Sequence, residues 1–358
     1  MGLDRDFWRG RRVLLTGHTG FKGSWLALWL QSLGSEVTGL SLEPPTAPSL
    51  FELAHVGDAM PSIHADIRDL ERLRAEIDRV RPEIILHLAA QSLVHASYED
   101  PVDTYTTNVI GTLNVLEASR KAEGLRAVVV VTSDKCYENR EWVWGYRESD
   151  AMGGSDPYSS SKGCAEILTT SYRRSFFPID HYDDHRVAVA SARAGNVIGG
   201  GDWARDRLVP DIVRSVAAGE PVKIRRPDSI RPWQHVIEPI GGYLALAERL
   251  WDSTEFASGW NFGPNDRDAK PVSWIADRVC ELWGEGASWE TDAQTYPPEA
   301  HHLKLDTSKS KNHLGWSSRL DLGTALEWTV DWHRRWDAGE EPRTLTLEQI
   351  AAYEEKLN

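Results

Sequence analysis

Residues 13–25 read VLLTGHTGFKGSW, and this stretch decides the architecture. An apolar run ends at Gly17, Gly20 and Gly23, with Thr19 and Phe21 inside the turn, and the helical pattern SWLALWLQSLG follows at residues 24–34. A strand that turns through glycines into a helix exposes backbone amides and the positive end of the helix dipole, and lets a pyrophosphate approach closely. Taken alone, the GxxGxxG spacing also fits an ordinary strand-to-helix turn whose glycines serve packing.

The chain on either side favours the first reading. EVTGLSL (36–42), Ser62-Ile63-His64, EIILHLAA (83–90), AVVVV (127–131) and RVAVASARA (186–194) read as five further strands. LERLRAEIDRV (70–80) and VDTYTTNVIGTLNVLEASRKA (102–122) carry helical periodicity between them. This alternation predicts an α/β fold, a Rossmann-like doubly wound parallel sheet with ligands at the carboxyl ends of its strands.

The chain has 358 residues, 41% hydrophobic and 26% charged, enough for one large or two moderate domains. No apolar run approaches the roughly 20 residues of a membrane span, and MGLDRDFWRGRR lacks a signal-peptide core. Asp6 replaces the hydroxyl residue that myristoylation favours. Cys136, Cys164 and Cys280 have no CxxC spacing, which fits a reducing, cytoplasmic compartment. Adjacent His301 and His302 lack metal-ligand spacing, so no metal is expected. A net charge of -14 disfavours nucleic acid and anionic membranes, and any anionic ligand must meet a local basic pocket.

At the end of the fifth strand stands TSDKCY (132–137), an acid beside an amine. The pair reads either as a salt bridge or as a proton donor beside a proton acceptor. Both side chains reach one pocket only if the strand stops at or before Ser133, since neighbours on a regular strand face opposite ways. Downstream, Tyr158 and Lys162 open a helix at i,i+4 spacing and share a face, where an ammonium would favour the phenolate.

The glycine turn, a hydroxyl at Thr132 or Ser133, and Tyr158-xxx-Lys162 together resemble the extended short-chain dehydrogenase/reductase superfamily, over nearly the whole chain. HLAAQS (87–92), Asn108, GNVIGGGDW (195–203) and RPWQHV (231–236) resemble its nucleotide-sugar branch. TSDKCYEN, TGHTGFKGSW and SLEPPTAPSLFE look like the CDP-D-glucose 4,6-dehydratase family, in which lysine replaces the glutamate of the usual Thr-Asp-Glu triplet.

That resemblance implies catalytic roles for five residues. Tyr158 takes the O4 proton, Ser133 bonds O4, Lys162 holds the ribose and lowers the Tyr158 pKa, Asp134 is the acid and Lys135 the base at C5. NAD is implied as cofactor, held by Gly17, Thr19, Gly20, Phe21, Gly23, Asp66, Ile67, Leu88, Ala89, Ala90, Asn108 and Thr132 besides Tyr158 and Lys162. Ser92, Asn196, Trp203, Arg207 and Arg231 are implied substrate contacts, arginine suiting a diphosphate through its two-pronged donor set. Arg205, Arg225 and Arg226 are expected to be solvated. Ser41, Leu42 and Glu43 end the second strand without the usual acid, but no arginine awaits a 2'-phosphate, so NAD is preferred by elimination.

The remaining expectations concern organisation. Residues 1–195, with a returning segment at about 232–263, form the cofactor domain; 196–231 and 264–350 form an interleaved nucleotide-sugar region. QHVIEPIGGYLALAERL, SWIADRVCELWG, LKLDTSKSKNHLGW and LGTALEWTVDWHRRW read as helical, WNFGP as a strand and turn, and PPTAP (44–48) as a rigid loop near the adenosine ribose. Most of the 16 tryptophans read as core, with Trp203 and Trp233 beside the ligand. The superfamily's helix pairing implies a homodimer or higher homo-oligomer. A nucleotide-sugar 4-epimerase or reductase would share Tyr158 and Lys162 without needing the acid and amine at 134 and 135, and a non-catalytic NAD-binding scaffold would be expected to lose Tyr158 or Lys162.

Overall fold

The computed structural model describes residues 2–284, 286–292 and 303–357, so His301 and His302 lie outside the described residues. β1 (Arg12–Thr16), β2 (Glu36–Ser41), β3 (Ser62–His64), β4 (Ile84–His87), β5 (Ala127–Val131), β6 (Ala188–Ala194) and β7 (Gly259–Phe262) form one sheet. Its order is β7-β6-β5-β4-β1-β2-β3, with every pairing parallel. The order reverses beside β1, which pairs with both β2 and β4, and the crevice at this reversal is where a doubly wound sheet takes its ligand.

Period-two alternation sends successive strand residues into two apolar layers. Val13 and Leu15 pack on one face with Trp25, Trp29, Ile240, Tyr243 and Tyr353. Leu14 packs on the other with Ile77, Val115, Leu116 and Tyr172. Every residue of β4 and β5 is buried, as a central parallel strand covered on both faces requires. A third apolar cluster joins Val209, Ile212 and Val213 to Ile275, Val279, Trp283, Leu326 and Val330, away from the sheet. WNFGP supplies β7, and Ile237–Asp252 is a helix against β5 and β6.

Two helical expectations change. The 102–122 stretch is helical over Pro101–Tyr105 and Thr112–Ser119, but Thr106–Gly111 between them is a π-helix. Asn108 in this wide turn donates to the Gln91 carbonyl and to Ser161 Oγ, both at 2.9 Å. Residues 303–307 are not helical and carry a bridge from Leu305 to Tyr146, whereas residues 308–314 are helical, with Ser310–Leu314 a π-helix. Leu303 and Leu305, two apart, pack together on Tyr137 and Tyr146, which is strand spacing. The Pro342–Leu357 helix was not anticipated; it lies on the Phe21–Ser32 helix, where Trp29 Nε1 donates to Glu354 Oε1 at 2.7 Å.

Candidate active site

A cavity of about 1100 Å³ opens over the carboxyl ends of the strands. Gly17 closes its first turn at φ +78°, and a Cβ there would lie 2.6 Å from the Ala89 nitrogen, so β1 and β4 approach only because that side chain is absent. Gly20 caps the Phe21–Ser32 helix and faces the cavity, where a Cβ would meet only the Gly17 carbonyl, at 3.5 Å. The space over the helix N-terminus is therefore open to an anion.

Along the same wall, Thr19, Phe21, Gly23, Asp66, Ile67, Leu88, Ala89, Ala90 and Thr132 line the cavity. Asp66 is clamped by Arg68, which also reaches Asp103 at 2.7 Å, so this arginine is committed to carboxylates. Ser41, Leu42 and Glu43 line the wall without an arginine, and Glu43 pairs with His64 at 3.0 Å. A pyrophosphate-binding turn with no cation placed for a 2'-phosphate fits NAD. Asn108 is 1% exposed, and its amide bonds the backbone of Gln91 and Ser161 Oγ. It braces the wall from behind.

At the centre, β5 ends at Val131, Ser133 is extended, and Asp134–Cys136 make a single tight turn. That early stop lets Asp134 and Lys135 both line the cavity. Of the two hydroxyls offered at the strand end, Thr132 donates to Glu166 at 2.5 Å, whereas Ser133 donates to Asp134 Oδ1 at 3.0 Å and accepts from the Lys135 amide at 3.2 Å. Asp134 is 2% exposed and burial raises its pKa, opposed mainly by the charge of Lys135. Its Oδ2 has no hydrogen-bond partner.

The Pro157–Ser175 helix starts with Asp156 accepting from Ser159 N at 2.8 Å and with proline in its first turn, a strong N-terminal signal. It presents Tyr158 and Lys162 to the cavity. Burial pushes Tyr158 up to about 12, with the Ser133 hydrogen bond acting against it, and burial brings Lys162 down to about 8. Desolvating the phenolate outweighs the stabilising partners around it.

On the far side of the cavity are Ser92, Asn196, Trp203, Arg207 and Arg231. Arg207 donates to Ser92 Oγ at 3.1 Å and pairs with Asp202 at 3.0 Å. Arg231 is 6% exposed. Trp203 and Trp233 both reach the lining but are largely buried, Trp203 against Trp332, His333 and Trp336. Arg205, Arg225 and Arg226 were expected in solvent; all three line the cavity, with Arg205 exposed and Arg225 partly buried against Asp206 at 3.0 Å. Loop residues 202–206 and the Val222–Ile224 strand fold toward each other, a long-range pairing that charge spacing does not encode.

Sequence reasoning also missed Lys22. It lines the cavity from inside the glycine turn, 3.4 Å from the Tyr243 hydroxyl, and its pKa falls to about 7, first through burial and then through Arg207 and Lys162. A lysine within the GHTGFKG turn was the available signal. Among the described residues no group of three or more His, Cys, Asp or Glu could hold a metal, and no helix is long and apolar enough to cross a membrane.

This arrangement can bind a dinucleotide, withdraw a proton through a phenol, and supply both an acid and an amine beside it. The family model of GDP-mannose 4,6 dehydratase matches residues 14–329. The CDP-glucose 4,6-dehydratase of Salmonella typhimurium is 54% identical over 352 residues, covering 98% of each chain. Among solved structures, the UDP-glucose 4-epimerase of Thermus thermophilus in complex with NAD is 26% identical, covers 90% of this chain and 99% of that one, and has a TM-score of 0.76. The dTDP-glucose 4,6-dehydratase of Bacillus anthracis in complex with NAD, 20% identical over 93% of this chain and 100% of that one, shares the fold with a TM-score of 0.75.

Proposed function

The chain belongs to the GDP-mannose 4,6-dehydratase family, and from that premise we propose how its site residues divide the work. Its activity is the NAD-dependent 4,6-dehydration of CDP-D-glucose to CDP-4-dehydro-6-deoxy-D-glucose and water, a step of deoxysugar synthesis. The observation that carries this is the 54% identity, end to end, to a CDP-glucose 4,6-dehydratase.

When bound, NAD would supply the hydride chemistry that links C4 and C6 of the sugar. Tyr158 takes the O4 proton, helped by Ser133, and Lys162 sits one turn along to hold the ribose. The C4 ketone acidifies C5, and the amine of Lys135 removes that proton. Asp134 donates to the departing C6 hydroxyl; its burial supports this role, because desolvation raises its pKa and favours the protonated form. Gly17, Gly20, Phe21, Asp66 and Ile67 would hold the dinucleotide, and Arg207, Arg231, Asn196 and Ser92 the sugar diphosphate. Residues 1–195 with 232–263 would form the cofactor domain, and 196–231 with 264–350 the substrate region, which the separate apolar cluster supports.

A cytoplasmic homodimer completes the proposal. Three unpaired thiols suit a reducing compartment. Val102 and Ile167, 71% and 59% exposed on neighbouring helices, offer an apolar face to a second copy. Light scattering of the wild type and of Ile167→Glu tests this; a wild-type monomer would refute it.

The activity is tested by NMR in D2O with CDP-glucose, and with UDP-, dTDP- and GDP-glucose in parallel. Deuterium at C5 and a new C6 methyl group with CDP-glucose are expected. Inversion at C4 with the C6 hydroxyl intact would instead identify an epimerase.

A further inference from the structure

A nucleotide-sugar site must read the base as well as the sugar, and the wall where the base would lie carries a carboxylate oxygen with no hydrogen bond. With the roles given above, on which this inference rests, C4 of the sugar lies at Tyr158 and C6 at Asp134. C1 is opposite C4 on the ring, so the diphosphate it carries leads away from the catalytic centre to Arg207 and Arg231. The glycine turn at the other end is taken by the dinucleotide. The nucleoside of the substrate therefore lies beyond Arg207.

That wall is built from the Leu208–Ala217 helix and the Val222–Ile224 strand, which pack on each other. Arg207 stands just before the helix. Asp211 comes one turn later on the same face, its amide donating to the Arg207 carbonyl at 3.0 Å. Both line the cavity, together with Pro210, Ile224 and Val272, which give a planar ring apolar surroundings. Arg225 follows the strand and donates to His95 at 3.1 Å and to Asp206 at 3.0 Å. Of the carboxylates on this wall, Asp202 and Asp206 are thus engaged by Arg207 and Arg225. Asp211 differs: its Oδ1 accepts from Arg214, but among the described residues its Oδ2 accepts no hydrogen bond and lies 3.7 Å from the Arg225 guanidinium.

We propose that Asp211 selects the cytosine base of the substrate by accepting from its 4-amino group. Cytosine presents that amino donor beside the N3 acceptor, and a carboxylate beside a guanidinium presents the complementary acceptor and donor. Uracil and thymine present the reverse, a C4 carbonyl beside an N3–H. Against Asp211 that carbonyl would set two acceptors face to face and leave the carboxylate oxygen unpaired, which is how a polar site rejects a ligand of the same shape. An ion pair with Arg214 that served only the helix would act alike on every nucleotide.

The test is steady-state kinetics of NAD-loaded wild type and Asp211→Asn with CDP-glucose and UDP-glucose, scoring the C6-methyl ketone, with CDP and UDP as competitive inhibitors. In Asp211→Asn the side-chain oxygen stays with Arg214 and the amide nitrogen faces the base, a donor where an acceptor stood. kcat/KM for CDP-glucose is expected to fall by about tenfold or more, mainly through KM, while that for UDP-glucose holds or rises. The ratio of the CDP and UDP inhibition constants should move in the same direction. Equal losses for the two nucleotides, or no change in either, overturn the assignment. Should Asp211→Asn not fold, Asp211→Ser carries the same comparison, with loss expected for CDP-glucose alone. Absence of the ketone from wild type with CDP-glucose would instead sink the dehydratase reading itself, whereas an active wild type whose preference survives in Asp211→Asn sinks only the role of Asp211.

Discussion

Two buried carboxylates stand on opposite sides of the same short stretch of chain and behave differently. Glu166, behind the cavity, pairs with Arg193 at 2.7 Å and accepts from Thr132 and Ser191, and these partners hold its pKa below the usual range despite complete burial. Asp134, facing the cavity, has one serine bond, an unpartnered oxygen and a raised pKa. Both lie beside the end of β5. Buried charge that is fully paired is structural, and buried acidity left partly unpaired is available for chemistry.

The sharpest way to break this contrast is to neutralise each acid in turn. Asp134→Asn keeps the shape but removes the proton to be donated, so kcat should fall by about 10²- to 10⁴-fold. Melting temperature should hold or rise, because an amide has no charge to desolvate. Steady-state kinetics and calorimetry on one preparation check both; a variant that loses stability but retains activity would invert the assignment. Glu166→Gln should do the reverse to stability. It strands the 4%-exposed Arg193 guanidinium without a counter-ion, at a cost of about 3–5 kcal/mol by urea unfolding. Glu166 has a lowered folded-state pKa, so its contribution is present above its ordinary value and lost as pH falls through the lowered one. The variant should be correspondingly less acid-sensitive.

Lys22 extends the comparison to a buried base, whose amine donates to the neutral Tyr243 hydroxyl rather than to a carboxylate. Its folded-state pKa is lowered from 10.5 to about 7. Between those values the unfolded chain binds the extra proton, so wild-type stability should rise with pH in that window and flatten on either side, by up to about 1.4 kcal/mol per pH unit for one proton. Lys22→Met should remove that slope. Denaturant midpoints at pH 6, 8 and 10 check it, and parallel wild-type and variant curves would show that the amine is solvated.

What the sequence made legible follows from what is local. The glycine turn, the strand periods and the N-terminal signal at Asp156-Pro157 depend on neighbouring residues, and β1 to β6 lie where alternation puts them. The early end of β5 was readable from the change between AVVVV and TSD. The direction of Asn108 was not legible, because it depends on Gln91 and Ser161, 17 and 53 residues away. Arg225 was misread because its partners His95 and Asp206 are brought in by the fold. The Glu166–Arg193 pair was invisible for the same reason: a glutamate in a helix and an arginine in a strand are ordinary until the Pro157–Ser175 helix packs on β6.

Ser191→Ala probes the paired side most gently. Ser191 is fully buried on β6, and its Oγ donates to Glu166 Oε2 at 2.7 Å, the oxygen that also receives Arg193. The ion pair survives the change, so no charge is stranded, but the carboxylate loses one of its donors. A hydrogen bond to a charged group is worth about 1.5–3 kcal/mol, and alanine leaves only a small void. Stability should therefore fall by about that amount, less than in Glu166→Gln, while kcat stays within about twofold because Ser191 does not line the cavity. A large fall in kcat with unchanged stability would mean that Glu166 answers to the chemistry in front of it, and that the two carboxylates form one system.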